Sequence, residues 1–505
     1  MELYLLSKHG GEKLKDKGQV QYAILGLVIV SIIVSGASLA VLSGSFSGVK
    51  EKVNALSEDL SNVSSQLNTI EDKVTGMQKK PGEEEKQPAR KTSQEPIKIG
   101  TLQPVTGQFA AAGRNWLITM RMWEERINSG FPQEGGLPLK NDAGETVYHP
   151  VKIIQYDSAS DPSKVPGLVS KLLNIDKVDI LFSSYSTNMT KPGMPLASEE
   201  GILYVGDFAT DANEDQNYSN YVSMIPNGPT PSIAWSKAFL QKAKEEGYTT
   251  VASLITRTEM NEGIHNKIPK VAENLGMEMV YHKTAPPGTT SFDSMFRAIK
   301  AKNPDVVYCA AYPTSAVAMI KTVNSLGYTP KMIGGGLIGL QYTSVMQSLG
   351  SSLNGWIVNQ SYAPNLPEVK AGLWKRTEDV VSVYQKRVKG GKADQLGYYI
   401  TPPAWAGMQV VEKAIRNTKS TDGDKLADYI FQKDEFKTVW GRISFSREAR
   451  GEWTYARWLW PQIKGLEEGS LKELRQNNTW AIVANNGPYD LTTGKFVPYD
   501  KLRQQ

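Results

Sequence analysis

The chain has 505 residues, with 40% hydrophobic and 22% charged side chains and 57 Lys plus Arg against 52 Asp plus Glu. That length suggests two to four structural units, and the composition excludes a wholly disordered, collagen-like or polytopic membrane protein. The excess of +5 is too mild on so long a chain to imply nucleic acid binding. One cysteine, Cys309, excludes an intramolecular disulfide. The four histidines, His9, His149, His265 and His282, have no metal-ligand spacing, so neither metal nor cofactor is expected. The 11 Trp and 22 Tyr exceed what bulk packing needs; most pack cores, and aromatics also line small-molecule pockets.

Residues Tyr22 to Leu42 are apolar or small and uncharged, long enough to span a bilayer as a helix. Lys8, Lys13, Lys15 and Lys17 precede them and place the short tail (1–19) in the cytoplasm and the large remainder outside. The alternative is a buried core helix, which rarely carries so long an unbroken apolar run. A single-pass anchor (20–42) in the cell membrane with an extracellular globular part is therefore expected. No Ala-x-Ala site follows, unlike a secretory signal. Lys17-Gly18-Gln19 resembles a prepilin-type (class III) signal, a family in which a peptidase cuts after the glycine and the helix stays on the mature protein.

Val49, Val53, Leu56, Leu60, Val63, Leu67, Ile70, Val74 and Met77 alternate spacings of four and three. This 3.5-residue period over about four heptads predicts a coiled-coil stalk over 43–78 that makes a homo-oligomer; an amphipathic helix lying on the globular part is the alternative. The mixed a and d residues choose neither dimer nor trimer. Residues 79–96, rich in Lys, Glu, Gln and Pro, read as a disordered linker.

From Ile97 strand and helix alternate. Strands are predicted at Ile97–Leu102, Val151–Tyr156, Val178–Phe182 and Ile202–Val205, with helices at Phe109–Asn128, Pro162–Leu173 and Lys191–Glu200. A second series has helices Thr230–Glu246, Gly263–Leu275, Phe292–Lys300 and Ser315–Leu326 between strands Val251–Ile255, Glu278–His282, Val306–Cys309 and Met332–Gly334. Helices over Glu368–Lys389 and Thr401–Asn417 and a strand over Val439–Phe445 follow. Such alternation means parallel sheets covered on both faces, here an α/β fold of two doubly wound lobes. Ligands of such folds bind beyond the C-terminal strand ends. Those loops are Pro104–Gly113, Ser183–Thr190, Gly206–Asn213, Arg257–Gly263, Ala310–Thr314 and Gly334–Gly339. None joins a nucleophile to a base and an acid, so a binding site is expected rather than an enzyme.

Ile97-Lys98-Ile99-Gly100, Thr106-Gly107 and Gln155-Tyr156-Asp157-Ser158-Ala159-Ser160-Asp161-Pro162 recur in order with Glu200-Gly201-Ile202-Leu203, Asn303-Pro304-Asp305-Val306-Val307-Tyr308 and Thr438-Val439-Trp440-Gly441. Together they resemble the type 1 periplasmic solute-binding proteins of ABC importers, in the leucine/isoleucine/valine-binding group. The resemblance implies three chain crossings, with lobe 1 over 97–228 and 358–436 and lobe 2 over 229–357 and 437–505, closing on a ligand like a hinged clamp. It implies a small polar solute as ligand, ABC permease subunits as partners, and no nucleic acid. Carried over residue by residue, Ser186 and Thr187 meet a ligand carboxylate, the Phe208 carbonyl and Thr210 hold its polar head, and Tyr312 packs on it from lobe 2. Three positions depart from the family: Met260 stands for a tyrosine, Ala112 for a tryptophan, and Gly336 for the acid that pairs with an amino-acid ammonium. Asp207 and Glu259 are candidate replacements for that acid, and an amide, carboxylate or other polar solute becomes plausible.

Gly334, Gly336 and Gly339 form a lone G-x-G-x-x-G without the later acidic residue of a dinucleotide site. An extracellular sensor, or a surface filament built through the pilin-like helix and the coiled coil, are the rival functions. Sequons occur at Asn62, Asn188, Asn217, Asn359 and Asn477.

Overall fold

The computed structural model describes residues 90–209, 212–213, 216–225, 231–366, 373–388, 392–447, 452–453, 458–485 and 490–503. The expected membrane helix, the coiled-coil stalk and linker residues 79–89 lie outside the described residues. Among the described residues no helix is long and apolar enough to cross a membrane.

β1 (Ile97–Thr101) is followed by helix α1 (Ala110–Asn128), which buries Trp116, Met120, Trp123 and Ile127 at spacings of four, three and four. That stripe turns one helix face to a sheet. β2 (Leu137–Lys140) and β3 (Thr146–His149) form an antiparallel hairpin, and β4 (Val151–Gln155) then pairs parallel with β1. Helix α2 (Val165–Asn174) leads to β5 (Ile180–Phe182), the short helices α3 (Thr187–Thr190) and α4 (Met194–Glu199) to β6 (Leu203–Gly206), and β7 (Tyr221–Ser223) closes the edge. The first sheet has the order β4-β1-β5-β6-β7 and is parallel throughout. Every residue of β5, β6 and β7 is buried, as expected for strands covered on both faces.

Helix α5 (Pro231–Glu245) opens the second series. β8 (Thr250–Thr256), α6 (Glu259–Asn274), β9 (Glu278–Ala285), α7 (Asp293–Lys302), β10 (Val306–Ala311), α8 (Pro313–Ser325) and β11 (Met332–Leu337) follow. The second sheet has the parallel order β11-β10-β8-β9. Helix α9 (Thr343–Leu349) packs beside α8. The chain next lays Ile357 against Gly334 of β11. Gly334 has φ +151°, and a Cβ there would sit 2.0 Å from the Ile357 carbonyl oxygen, so only glycine permits this approach. Helices α10 (Leu373–Arg387) and α11 (Thr401–Thr418) return to pack on α1. α12 (Gly423–Gln432), capped by the Asp422 carboxylate accepting the Lys425 N–H, and the hairpin of β12 (Phe436–Thr438) with β13 (Gly441–Ile443) stay with these helices. After the two-residue pair β14 (Phe445–Ser446) and β15 (Glu452–Trp453), β16 (Leu459–Ile463) and β17 (Trp480–Asn485) extend the second sheet through Ile357 and Gln360. The part built on the first sheet is called the first lobe, and that on the second sheet the second lobe.

Several local expectations change for identifiable reasons. The helix expected over Lys191–Glu200 is a 3-10 turn, Lys191–Gly193, followed by α4, because Pro192 and Pro195 each remove a backbone donor. α6 begins at Glu259 rather than Gly263, since the Thr258 hydroxyl accepts the Asn261 N–H as N-cap. Of the strand expected over Val439–Phe445, Val439 and Trp440 form the turn of a hairpin whose return arm starts at Gly441, φ +109°. Residues 90–96, expected within the linker, are docked on the first lobe. The Arg90 guanidinium lies 3.5 Å over the Tyr148 ring and donates to the carbonyls of Gln133, Glu134 and Gly135, while Lys91 and Ser93 exchange backbone hydrogen bonds with Tyr148.

On the second lobe His265 of α6 stacks on His282 of β9, rings 3.9 Å apart and 11° from parallel. The Ser253 hydroxyl lies 2.6 Å from His282 Nδ1. Burial, then the His265 ring, lowers the His282 pKa to about 4. Burial also lowers His265, with Glu262 opposing and Arg257 assisting. A folded pKa below the unfolded value of about 6.5 means that protons favour the unfolded chain. This contribution to stability is therefore intact above about pH 6.5 and is lost as the pH falls towards about 4. The urea midpoint should decline from pH 7 to pH 5, and His282→Gln should flatten that decline; an unchanged slope in the variant counts against it.

Candidate ligand-binding cleft

The loops after β1, β5 and β6 carry Phe109, Tyr185 and Phe208, and those after β10 and β11 carry Tyr312 and Tyr342. All lie at C-terminal strand ends of the two parallel sheets. Tyr399, just before α11, and Trp458, just before β16, complete an aromatic cluster. The ring of Phe109 is 5.6 Å from both Tyr185 and Tyr312. Phe208 is 5.6 Å from Tyr185 and 4.8 Å from Tyr399. Phe109–Tyr312 therefore joins the two lobes, as does the Tyr342 hydroxyl, 3.3 Å from that of Tyr185. The Tyr399 hydroxyl also bonds Tyr185. Burial pushes the phenols of Tyr185, Tyr312, Tyr342 and Tyr399 upward, so at neutral pH they are uncharged hydroxyls.

Two non-glycine residues in facing loops hold left-handed backbone: Ser186 at φ +87° and Phe208 at φ +54°. Such conformations cost on the order of 1–3 kcal/mol each and gather at ligand clamps. Ser186 donates its N–H to the Asp207 carbonyl at 3.2 Å and its hydroxyl to Asn188 Oδ1 at 2.5 Å. Thr187 begins α3 and is buried. Ser186, Thr187 and Phe208 thus adjoin one another, and Tyr312 reaches the same cluster through Phe109. Met260 is half-buried in the first turn of α6. Thr210 lies outside the described residues. Ala112 is buried inside α1.

Gly336, expected in a loop, is the fifth residue of β11 and is buried. A Cβ there would stand 3.3 Å from the Tyr308 hydroxyl and 3.4 Å from the Ala310 Cβ, so Tyr308 borders the place of an acidic side chain. The two candidate acids differ in state. Glu259 pairs with Lys191 at 2.8 Å, with both side chains about one-third exposed, and this pair bridges α6 and the 3-10 turn of the first lobe. Asp207 is fully buried. One of its oxygens accepts the Gln103 amide, the other has no partner, and burial pushes its carboxyl well above the ordinary range. The Asp207 N–H donates to the Ser183 hydroxyl at 2.7 Å. Among the described residues no group of three or more His, Cys, Asp or Glu side chains could hold a metal ion.

The sequence expectations omit Phe109, Tyr185, Tyr342, Tyr399 and Trp458. Their loops have a visible aromatic bias, but only folding brings residues 109, 185, 342, 399 and 458 together.

A family model described as "Periplasmic binding protein" matches residues 96–455. The Leucine-, isoleucine-, valine-, threonine-, and alanine-binding protein of Pseudomonas aeruginosa is 21% identical over 356 residues, covering 70% of this chain and 87% of that protein. The Leu/Ile/Val-binding protein homolog 2 of Brucella abortus is 22% identical over 380 residues, covering 75% and 93%. An R. palustris ABC-transporter solute binding protein in complex with benzoate superposes with TM-score 0.59 at 16% identity, over 79% of this chain and 99% of that one. The branched-chain amino acid transporter substrate binding protein of Streptococcus pneumoniae, in complex with isoleucine, gives TM-score 0.59 at 16% identity, over 74% and 98%. At such identities the two structures speak for the fold alone. With the family model covering β1 through β15, and so every parallel strand of both sheets, the chain belongs to the periplasmic binding protein family, with the type 1 fold of solute-binding proteins of ABC transporters, which are not enzymes.

Proposed function

We propose that this chain is the extracellular solute-binding subunit of an ABC importer. In this proposal Tyr22–Leu42 anchors it in the cell membrane, the heptads of 43–78 oligomerise it, and a small polar organic solute captured between the lobes passes to permease subunits. The observation that carries the reading is the aromatic and hydroxyl cluster formed where the C-terminal ends of two parallel sheets face each other. Relatives named for binding aliphatic amino acids, and a similar fold holding benzoate, support a compact organic ligand. The polar end of the solute would meet Ser186, Thr187, Thr210 and the Phe208 carbonyl. Met260 and Tyr312 would cover it from the second lobe, beside the space at Gly336.

A thermal-shift screen of the full-length protein against amino acids, amides, amines and aromatic acids tests this, with calorimetry on any hit. Removing the ring in Tyr312→Ala forfeits about 1.5–3 kcal/mol of apolar contact, about 10- to 150-fold in affinity. Fold stability should change far less, since the Tyr312 side chain is only partly buried against the core. No hit in the screen, or an unchanged affinity in Tyr312→Ala, would overturn the assignment of this cleft.

A further inference from the structure

We propose that Gln103, Ser183 and Asp207 form a buried clamp that positions the first-lobe half of the cleft. The clamp acts through the backbone: it fixes Ser186 and Phe208 in the conformations in which they meet the solute. The proposal rests on the solute-binding reading above and adds positioning residues to that site.

The clamp is built across the first sheet. Gln103, Ser183 and Asp207 follow β1, β5 and β6, three strands adjacent in that sheet, and none of the three has exposed surface. The Gln103 amide donates to the Ser183 carbonyl at 2.9 Å and to one Asp207 carboxyl oxygen. The Gln103 backbone carbonyl accepts the amide of Gln155, the last residue of β4, at 3.2 Å. A polar belt thus crosses the C-terminal strand ends in the sheet order β4-β1-β5-β6.

Asp207 is held at three points. Gln103 holds its side chain, its N–H donates to the Ser183 hydroxyl at 2.7 Å, and its carbonyl accepts the Ser186 N–H at 3.2 Å. The Ser183 hydroxyl donates onward to the Ser184 carbonyl at 2.9 Å. The Ser186 carbonyl in turn accepts the Thr190 N–H at 3.0 Å. The left-handed residues of the cleft stand at these anchors: Phe208 follows Asp207 directly, and Ser186 is bonded to it. A non-glycine residue stays left-handed only where its surroundings over-determine it, and the anchors do so here. Stability alone does not call for these side chains, because a buried hydrogen-bonded pair adds little over apolar groups of the same shape. What the bonds add is direction. They set where the Phe208 carbonyl and the turn at Ser186 and Thr187 point, the groups proposed above to receive the polar end of the solute.

Hydrogen exchange read by mass spectrometry on the full-length protein tests the clamp without any solute. In Asp207→Ala, peptides over 183–190 and 203–209 should exchange at least about tenfold faster than in the parent, while those over β8 and β10 of the second lobe keep the parent rates. Asp207→Asn retains an oxygen for the Gln103 amide and should restore most of the protection. Ser183→Ala removes the acceptor of the Asp207 N–H with little change in volume. It should loosen the same peptides, and it replaces Asp207→Ala throughout if that variant does not fold. Parent rates in both loops overturn the clamp, and so does an equal gain in β8 and β10, which would show only a loss of global stability. Calorimetry with L-isoleucine and benzoate reads the consequence for binding. Whichever binds the parent should bind Asp207→Ala at least about tenfold more weakly, and Asp207→Asn within about threefold of the parent. An unchanged affinity in a variant whose loops exchange faster overturns the positioning role. If neither binds the parent, the first hit of the screen above takes their place. Silence across that screen sinks the solute-binding reading, while the exchange rates still decide whether the clamp holds the loops.

Discussion

Replacing Asp394 by alanine should lower the unfolding free energy by about 3 kcal/mol or more. The Asp394 side chain is buried in the segment between α10 and α11. It accepts the Thr343 N–H at 2.7 Å, the Gly397 N–H at 2.6 Å and the Thr343 hydroxyl. The Thr343 hydroxyl in turn accepts the Leu396 N–H at 3.1 Å, and the Tyr384 hydroxyl donates to the Asp394 carbonyl at 2.7 Å. Thr343 opens α9 on the second lobe, whereas α10 and α11 pack on the first. One carboxyl group therefore ties the segment between α10 and α11, on the first lobe, to the start of α9 on the second. Burial raises its pKa and the three hydrogen bonds pull the other way. Truncation strands two buried N–H groups, each worth about 1–3 kcal/mol when left unpaired. Asp394→Asn keeps the shape and one acceptor oxygen, so it should cost roughly half as much. Urea midpoints of the two variants check the order; an alanine variant within about 0.5 kcal/mol of the parent, the range of a featureless surface change, would count against the joint.

The parallel core was legible because burial on both faces writes a short continuous apolar run. Val306–Ala311, buried at every position, is one case, and the alternation of such runs with amphipathic helices gave the fold class. What escaped is the antiparallel extension of the second sheet. Leu459-Trp460-Pro461-Gln462-Ile463 holds a proline, which argues against a central strand. The sheet accommodates it with a register shift between Trp460 and Pro461. Gly336 was expected in the loop Gly334–Gly339, with the strand ending at Gly334. Within β11 a Cβ at Gly334 would meet the Ile357 carbonyl oxygen at 2.0 Å and one at Gly335 the Cys309 carbonyl oxygen at 2.6 Å, whereas at Gly336 the nearest atom is the Tyr308 hydroxyl at 3.3 Å. The site was legible only in pieces. Loop position and family likeness pointed to Ser186, Thr187, Phe208 and Tyr312. Nothing in spacing links Phe109 to Tyr399, nor shows that Glu259 is engaged by Lys191 while Asp207 is left with an idle oxygen.

Trp458→Ala should destabilise the protein by about 3–5 kcal/mol, the usual cost of deleting a buried large aromatic. Trp458 is fully buried immediately before β16, where the chain re-enters the second sheet. Its ring lies 4.9 Å from Trp235, 5.4 Å from Trp440, 5.7 Å from Tyr399 and 6.0 Å from Phe208. Trp235 belongs to α5 of the second lobe, Trp440 to the β12–β13 turn, and Phe208 to the loop after β6 of the first lobe. The indole thus fills the space between the lobes behind the cleft, and the walls Phe208 and Tyr399 rest on it. Its N–H has no hydrogen-bond partner, so Trp458→Phe strands no polar group and gives up only part of the contact area, about 1–2 kcal/mol at roughly 25 cal/mol per Å². The alanine variant leaves a cavity into which Phe208 and Tyr399 can lean. It should therefore also weaken binding of whatever solute the screen identifies, while the phenylalanine variant keeps most of it. Urea unfolding followed by circular dichroism, with calorimetry alongside, reads both effects. Equal midpoints for the alanine and phenylalanine variants would show that the ring stack does not carry the joint between the lobes.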